Sequence, residues 1–281
     1  MPGFKNKQIN FSMYLRRFFV PCIFFVLLLS CAEVPLTKRK GLHLISQSQL
    51  SSMSLQQYSN ILKKSSLSND RKKVAMVRRV GKRIAVAAET FMTDSGLAWK
   101  IREYHWEFNL IDDKKAVNAW CMPGGKVAVY TGILPVCRDE TGLAVVMGHE
   151  IAHAIADHGN ERMSHALITS MGGIALSIAL AEKPSSTRNL FMTAYGAGAG
   201  IGFTLPYSRV HESEADRIGL VLMASAGYDP RKAIFFWQRM NAKGGPRPPE
   251  FLSTHPAPAS RIEKIKFHIP EALSYYQKRR R

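Results

Sequence analysis

The stretch "VVMGHEIAHAIADHG", residues 145–159, places two histidines four positions apart with a glutamate next to the first. On an α-helix that spacing is one turn, so His149 and His153 point the same way and two neutral nitrogens can reach one metal ion. Zinc takes imidazole nitrogens at about 2.0–2.1 Å. Glu150 is not a ligand in such an arrangement but lies beside it. Zinc lowers the pKa of a coordinated water to about 7, and Glu150 can take the released proton. Apolar residues flank the motif: Val145, Val146, Met147, Ile151, Ala152 and Ala156. A solvated helix would not carry them, and a buried His–Glu–His group needs partners.

A catalytic ion needs a third protein ligand. The arrangement with a further glycine and histidine on the same segment is excluded, because Ala156 and Gly159 stand at those positions. Glu182 ends an apolar run before a Pro/Ser loop. The better candidate is "YSRVHESEADRIG", residues 207–219, where Glu212 and Asp216 are one helical turn apart. Glu212 can bind the ion, and Asp216 can accept a hydrogen bond from the second nitrogen of a ligand histidine, fixing its tautomer. The plainer alternative is an acidic helix start that favours the dipole. His255, in "FLSTHPAPASRIEKI", either approaches the ion as a fourth ligand, stabilises an oxyanion together with Arg261, or simply packs. Tyr207, Arg209 and His211 are weaker oxyanion candidates; His43, His105, His165 and His268 are read as structural.

Around this core the chain has 281 residues and 46% hydrophobic content, enough for one domain. Lys5, Lys7, Arg16 and Arg17 precede the apolar run "FFVPCIFFVLLL" at 18–29, which reads as a secretory signal over residues 1–30 and is short for a membrane span. "LLSC" resembles a bacterial lipobox, making Cys31 the lipidated first residue, with an uncleaved anchor or plain signal as the alternative. By resemblance to lipoprotein sorting, Glu33 in place of Asp favours the outer membrane, facing the periplasm. Residues 31–66, with the Ser/Gln-rich "ISQSQLSSMSLQQYS", read as a lipid-anchored tether, and 67–281 as the folded domain. The net charge of +18 is scattered in short runs without interleaved aromatics. It suits anionic lipid rather than nucleic acid.

Helical periodicity is expected over 70–92, capped by Asp70, over 140–158, and at about 161–182, 211–226, 231–242 and 258–278. Segments 103–111, 117–122 and 126–132 read as a small, antiparallel sheet with a turn at "MPGG". The apolar stretches 166–181 and 190–205, each short for a membrane span, read as core helices over the site, with shallow contact with the bilayer as the alternative. The strand near Lys126–Thr131 is expected at the sheet edge, where an extended peptide could dock. Cys121 and Cys137 either bridge, adding about 3 kcal/mol, or remain free thiols.

"HEIAH" followed by "LPYSRVHESEADRIG", with "NAWCMPGGKVAVYTGIL" before them, resembles the gluzincin family of CAAX prenyl proteases and HtpX-type proteases. The nearest likeness is to its BepA/LoiP/OMA-like bacterial lipoprotein branch, over about residues 70–270. The resemblance implies an α+β, mainly helical zincin-like metallopeptidase domain with one zinc per chain. It implies ligands at His149, His153 and Glu212, the base at Glu150 and an orienting Asp216. The expected activity is zinc-dependent endopeptidase action on unfolded or misassembled envelope proteins. The alternative is a latent homologue acting mainly as an envelope-assembly binding factor.

Overall fold

The computed structural model describes residues 31–199, 205–244, 249–255 and 260–280; the expected signal at 1–30 lies outside them. The middle of the molecule is one helix, α5 (Glu140–Ile155), which carries the opening motif and is buried at every position from Gly142 to Ile155. It starts where Asp139 accepts a hydrogen bond from the backbone N–H of Gly142 at 2.9 Å, a cap that contributes about 1 kcal/mol. Around it pack α2 (Arg71–Asp94), α8 (Leu205–Ser225), α9 (Lys232–Ala242) and β4 (Ala119–Met122). Helix α11 (Arg261–Arg280) closes over α8. Asp70 caps α2 by accepting from Lys73 N, and Val77, Val80, Ile84, Ala88 and Phe91 recur every three to four residues to form its buried stripe.

Two glycines set how closely α5 and α8 cross. A Cβ on Gly148 would stand 2.8 Å from the Gly219 carbonyl oxygen, and one on Gly219 would stand 2.9 Å from His149 N. Backbone therefore meets backbone at this crossing, and Glu212 and Asp216 on α8 come within reach of the histidines on α5.

The sheet before α5 is mixed. Strand β5 (Lys126–Tyr130) lies in the centre, antiparallel to β4 and parallel to β3 (Glu107–Ile111). The β4–turn–β5 hairpin is the one expected, with Gly124 and Gly125 both at positive φ in the turn. The edge assignment is corrected: β5 is interior, because β3 returns to pair on its far side. The outer side of β3 is partly occupied, with Ser68 N donating to Leu110 O and Asp112 N to Ser66 O. Among the described residues, that leaves β4 as the open edge, next to α5.

The tether reading is also corrected. Strands β1 (Cys31–Glu33) and β2 (Lys40–Leu42) pair antiparallel, and α1 (Gln47–Lys64) follows. Ser46 and Gln49 form a capping box, and Leu50, Ser54 and Tyr58, four apart, bury one face. The polar composition hid a helix that needs only three buried positions to dock.

Beyond α5 the chain turns at Asp157, whose φ of 56° is left-handed, and enters α6 (His158–Ala179) and then α7 (Ser185–Ala199). The carboxylate of Asp157 forms a buried ion pair with Lys100 and accepts from Gln47 Nε2 at 3.0 Å, which fixes the turn. The expectation that 166–181 and 190–205 are core helices is not met where they are described. Leu167, Met171, Ile174 and Ile178 on α6, and Leu190 and Phe191 on α7, are exposed; α6 is buried only at its start, against α5 and β2, and α7 packs on α6. Among the described residues no helix is long and apolar enough to cross a membrane. Short helices at α3 (Ala98–Ile101), α4 (Leu134–Cys137) and α10 (Glu250–Thr254) complete the fold. Cys121 and Cys137 are free thiols.

Candidate metal centre

The side chains of His149, His153, Glu212 and His255 converge, each offering one donor atom, all within 4.8 Å of one another. His149 Nε2 lies 3.2 Å from His153 Nε2 and 3.3 Å from Glu212 Oε2; His153 Nε2 lies 3.3 Å from Glu212 Oε1. A tetrahedron with bonds of about 2.0–2.1 Å has edges of about 3.4 Å, so these spacings suit a zinc-sized ion. The donor set, two imidazoles and a carboxylate, is also one zinc accepts.

Electrostatics point the same way. Among the described residues, Glu212 Oε2 and Glu150 Oε1 are buried without a hydrogen-bond partner, an arrangement that costs stability unless a cation compensates. Burial pulls the pKa of His149 down, but hydrogen bonds to Asp216 and Glu212 outweigh it and hold it up at about 9. Burial raises Glu212, yet His149, His153 and His255 hold its carboxyl far below the ordinary range. The point where these donors meet draws positive charge, as a metal site must.

The surrounding groups orient the donors. His149 Nδ1 lies 3.1 Å from Asp216 Oδ1, which leaves Nε2 free for the ion. Asp216 is gripped by Arg261, Nε donating to Oδ2 at 2.8 Å and Nη2 to Oδ1 at 2.7 Å. The guanidinium lies flat over Trp237, 3.5 Å from the ring centroid, and Nη1 stands 3.3 Å from Glu212 Oε2. Arg261, read from the sequence as a partner of His255 in stabilising an oxyanion, is buried, with its fork on Asp216 and its face on Trp237.

His255 sits on the open side. Its Nδ1 is 3.0 Å from Glu212 Oε1 and 3.2 Å from His149 Nε2, and its Nε2 is 3.4 Å from Glu150 Oε1. Burial pushes the Glu150 carboxyl up, with the charge of Glu212 adding to it and the neighbouring His255 and His149 opposing. Strand β4 packs directly on α5; burial, and after it the charge of Glu150, raise the Cys121 thiol on that strand well above its ordinary value.

Of the other histidines, His43 lies 3.8 Å from Asp157 and His268 3.8 Å from Glu271, consistent with packing roles. Arg209 is exposed, and the side chain of Tyr207 is outside the described set. His211 faces Glu161, its Nε2 at 3.2 Å from Oε2, away from an oxyanion position. His158, one position off the further-histidine pattern and near the end of the expected helix, has no role in the sequence reading. Its Nδ1 lies 2.8 Å from His153 Nδ1. The visible signal was a histidine five positions after His153; the left-handed turn at Asp157, which brings it back, was not.

Compared with known proteins, residues 72–268 match the profile of peptidase family M48. The chain belongs to peptidase family M48. The match covers more than half of the sequence and contains His149, Glu150, His153, Glu212 and Asp216. M48 metallopeptidases use zinc, which accords with the donor set above. A mitochondrial metalloendopeptidase OMA1 from Schizosaccharomyces pombe is 41% identical over 169 residues, covering 59% of this chain and 48% of that protein. The human mitochondrial metalloendopeptidase OMA1 is 38% identical over 180 residues, 62% of this chain and 34% of the relative. The beta-barrel assembly-enhancing protease of Escherichia coli O157:H7 is 30% identical over 164 residues, 56% and 33% respectively. The aligned region thus spans between a third and about half of these M48 relatives.

Proposed function

We propose that this chain is a zinc-dependent endopeptidase that hydrolyses peptide bonds in unfolded or misassembled proteins of the cell envelope. One observation carries the reading: His149, His153 and Glu212 converge at zinc-like spacing with the buried carboxylate of Glu150 beside them. Zinc, when bound, supplies Lewis acidity at that junction. Glu150 accepts the proton of the attacking water and returns it to the leaving amine, a task favoured by a carboxyl whose pKa burial has raised. Asp216 and Arg261 keep His149 in the tautomer that presents Nε2. The free edge of β4 offers main-chain donors and acceptors to an extended peptide, which requires an unfolded segment and little sequence preference. The names of the relatives, metalloendopeptidase and beta-barrel assembly-enhancing protease, support the reaction class and an envelope setting. Purified chain is expected to hold one zinc and to cleave casein, and to lose both on treatment with chelator. Chelator-resistant cleavage would refute the assignment.

We also place the protein at a membrane, as an exported lipoprotein acylated at Cys31 with its basic surface toward lipid. The exposed row Leu167, Met171, Ile174 and Ile178 supports this, as does the charge of +14 that remains when the four basic residues of the signal are taken from +18. Unlipidated chain from residue 31 onward should sediment with anionic vesicles at low salt and be released as salt rises. Equal binding to zwitterionic vesicles would remove the electrostatic part of the argument.

The position of His255 favours a second reading, a resting state in which a fourth donor closes the site. A latent protein of this kind could serve mainly as a binding factor in envelope assembly.

A further inference from the structure

A histidine that binds a metal through one nitrogen needs the other held by an acceptor. His149 has Asp216. His153 has no carboxylate at Nδ1; its neighbour there is His158 Nδ1, at 2.8 Å, and His158 Nε2 in turn lies 3.2 Å from Glu214 Oε2. With His153 Nε2 facing Glu212, one arrangement of protons satisfies the chain. His153 carries its hydrogen on Nδ1 and donates to His158 Nδ1; His158 carries its hydrogen on Nε2 and donates to the Glu214 carboxylate.

Glu214 is held by a residue remote in sequence. Arg39, at the end of the β1–β2 turn, donates from Nε to both Glu214 oxygens at 3.0 Å and from Nη2 to Oε2 at 2.9 Å. The same guanidinium donates to Glu161, from Nη1 to Oε1 at 2.8 Å and from Nη2 to Oε2 at 2.7 Å. Thr37 Oγ1 adds a hydrogen bond to Glu214 Oε1 at 2.6 Å. Glu161, Glu214 and His158 are all buried, and Arg39 carries the guanidinium that the two carboxylates share. The hairpin is itself fixed in place. Val34 enters the main core, Val34 N donates to Arg39 O at 2.7 Å, and Gly41 admits Glu161 so closely that a Cβ would stand 2.8 Å from its Oε2.

We propose that Arg39 is a positioning residue for the metal ligand His153, acting through Glu214 and His158, and that the N-terminal hairpin is thereby a working part of the metal centre. The inference rests on the metallopeptidase reading above. It reaches beyond the family match, which begins at residue 72.

The decisive variant is Arg39→Lys in the full chain. It keeps the charge that neutralises the two carboxylates, so the fold survives, but lacks the fork that fixes both. Zinc affinity by chelator competition should fall about tenfold, the lower end of the cost of losing an outer partner of a ligand. The visible spectrum of the Co2+-substituted protein should shift, and kcat should fall with KM unchanged. His158→Phe should weaken zinc by about a hundredfold. His158→Gln, whose amide oxygen can accept from His153, should restore most of that loss. Wild-type zinc affinity and an unshifted Co2+ spectrum in Arg39→Lys would overturn the proposal, as would zinc binding by His158→Gln no tighter than by His158→Phe. Wild-type chain that binds no zinc would overturn the metallopeptidase reading and this one with it; tight wild-type binding with unaffected variants would overturn this one alone.

Discussion

Replacing Glu150 with Gln should lower casein cleavage by about 10²–10⁴-fold, the usual contribution of a general acid–base group, and leave one zinc bound per chain. The two halves of this result have separate causes. Glutamine matches glutamate in shape but cannot take a proton from water, so the chemical step loses its base. The donor atoms that converge come from His149, His153, Glu212 and His255, not from Glu150, so metal retention should be untouched. A third consequence concerns stability. Glu150 is buried, its Oε1 has no hydrogen-bond partner, and burial raises its pKa above the ordinary value. Folding then makes this carboxyl bind a proton more tightly than the unfolded chain does. Its contribution to the stability of the metal-free protein is present below the unfolded pKa and is lost as pH rises through the folded one. At neutral pH, above the unfolded pKa, the raised carboxyl costs stability, and glutamine should therefore raise Tm while it removes activity. Unchanged cleavage by the variant would dismiss the mechanism. Loss of both cleavage and zinc would show that Glu150 shapes the site rather than acting in it.

What the sequence disclosed, and what it hid, follows from the range of the interactions concerned. The pairs His149/His153 and Glu212/Asp216 are each one turn of one helix, so local periodicity predicts which side chains share a face; the structure then brings the two pairs together. Asp70 and Asp139 act as caps through bonds spanning three residues, and the helices they open begin close to where the pattern places them. The order of the strands is another matter. Whether β3 joins β4 or β5 depends on where the chain travels over residues 112–118, and no local pattern encodes that. The Ser/Gln-rich segment misled because its helix buries only Leu50, Ser54 and Tyr58, too thin a stripe to stand out. The apolar runs at 166–181 and 190–205 misled in the opposite sense, since hydrophobic content alone cannot distinguish a core helix from a projecting one. Arg39 was out of reach for the same reason as the strand order. Its partners lie 122 and 175 positions away, and a lone arginine beside two lysines reads as surface charge.

His255→Ala should raise cleavage of casein by about 5–150-fold, the range of ordinary two-state coupling energies, and should promote self-cleavage. The argument begins with coordination number. A catalytic zinc keeps three protein ligands and leaves the fourth position for water or substrate. Here His149, His153 and Glu212 already supply three donors, and His255 Nδ1 stands 3.0 Å from Glu212 Oε1 and 3.2 Å from His149 Nε2, where a fourth donor would be. Its other nitrogen faces Glu150 Oε1 at 3.4 Å, so one side chain covers both the ion position and the base. The hold is reversible by construction. His255 follows the five-residue helix α10, its N–H bonded to Phe251 O at 2.8 Å and its carbonyl accepting from Arg261 Nη1 at 3.3 Å. Those contacts anchor the backbone and leave the imidazole as the moving part. Removing it should expose the fourth position without disturbing Asp216, whose grip by Arg261 does not involve the ring. The opposite result, a fall of about 10²–10³-fold, would mean that His255 stabilises developing negative charge during catalysis. No change, in a protein that binds zinc yet cleaves nothing, would favour the binding-factor reading. Only a rise in activity fits a histidine that holds a competent site shut.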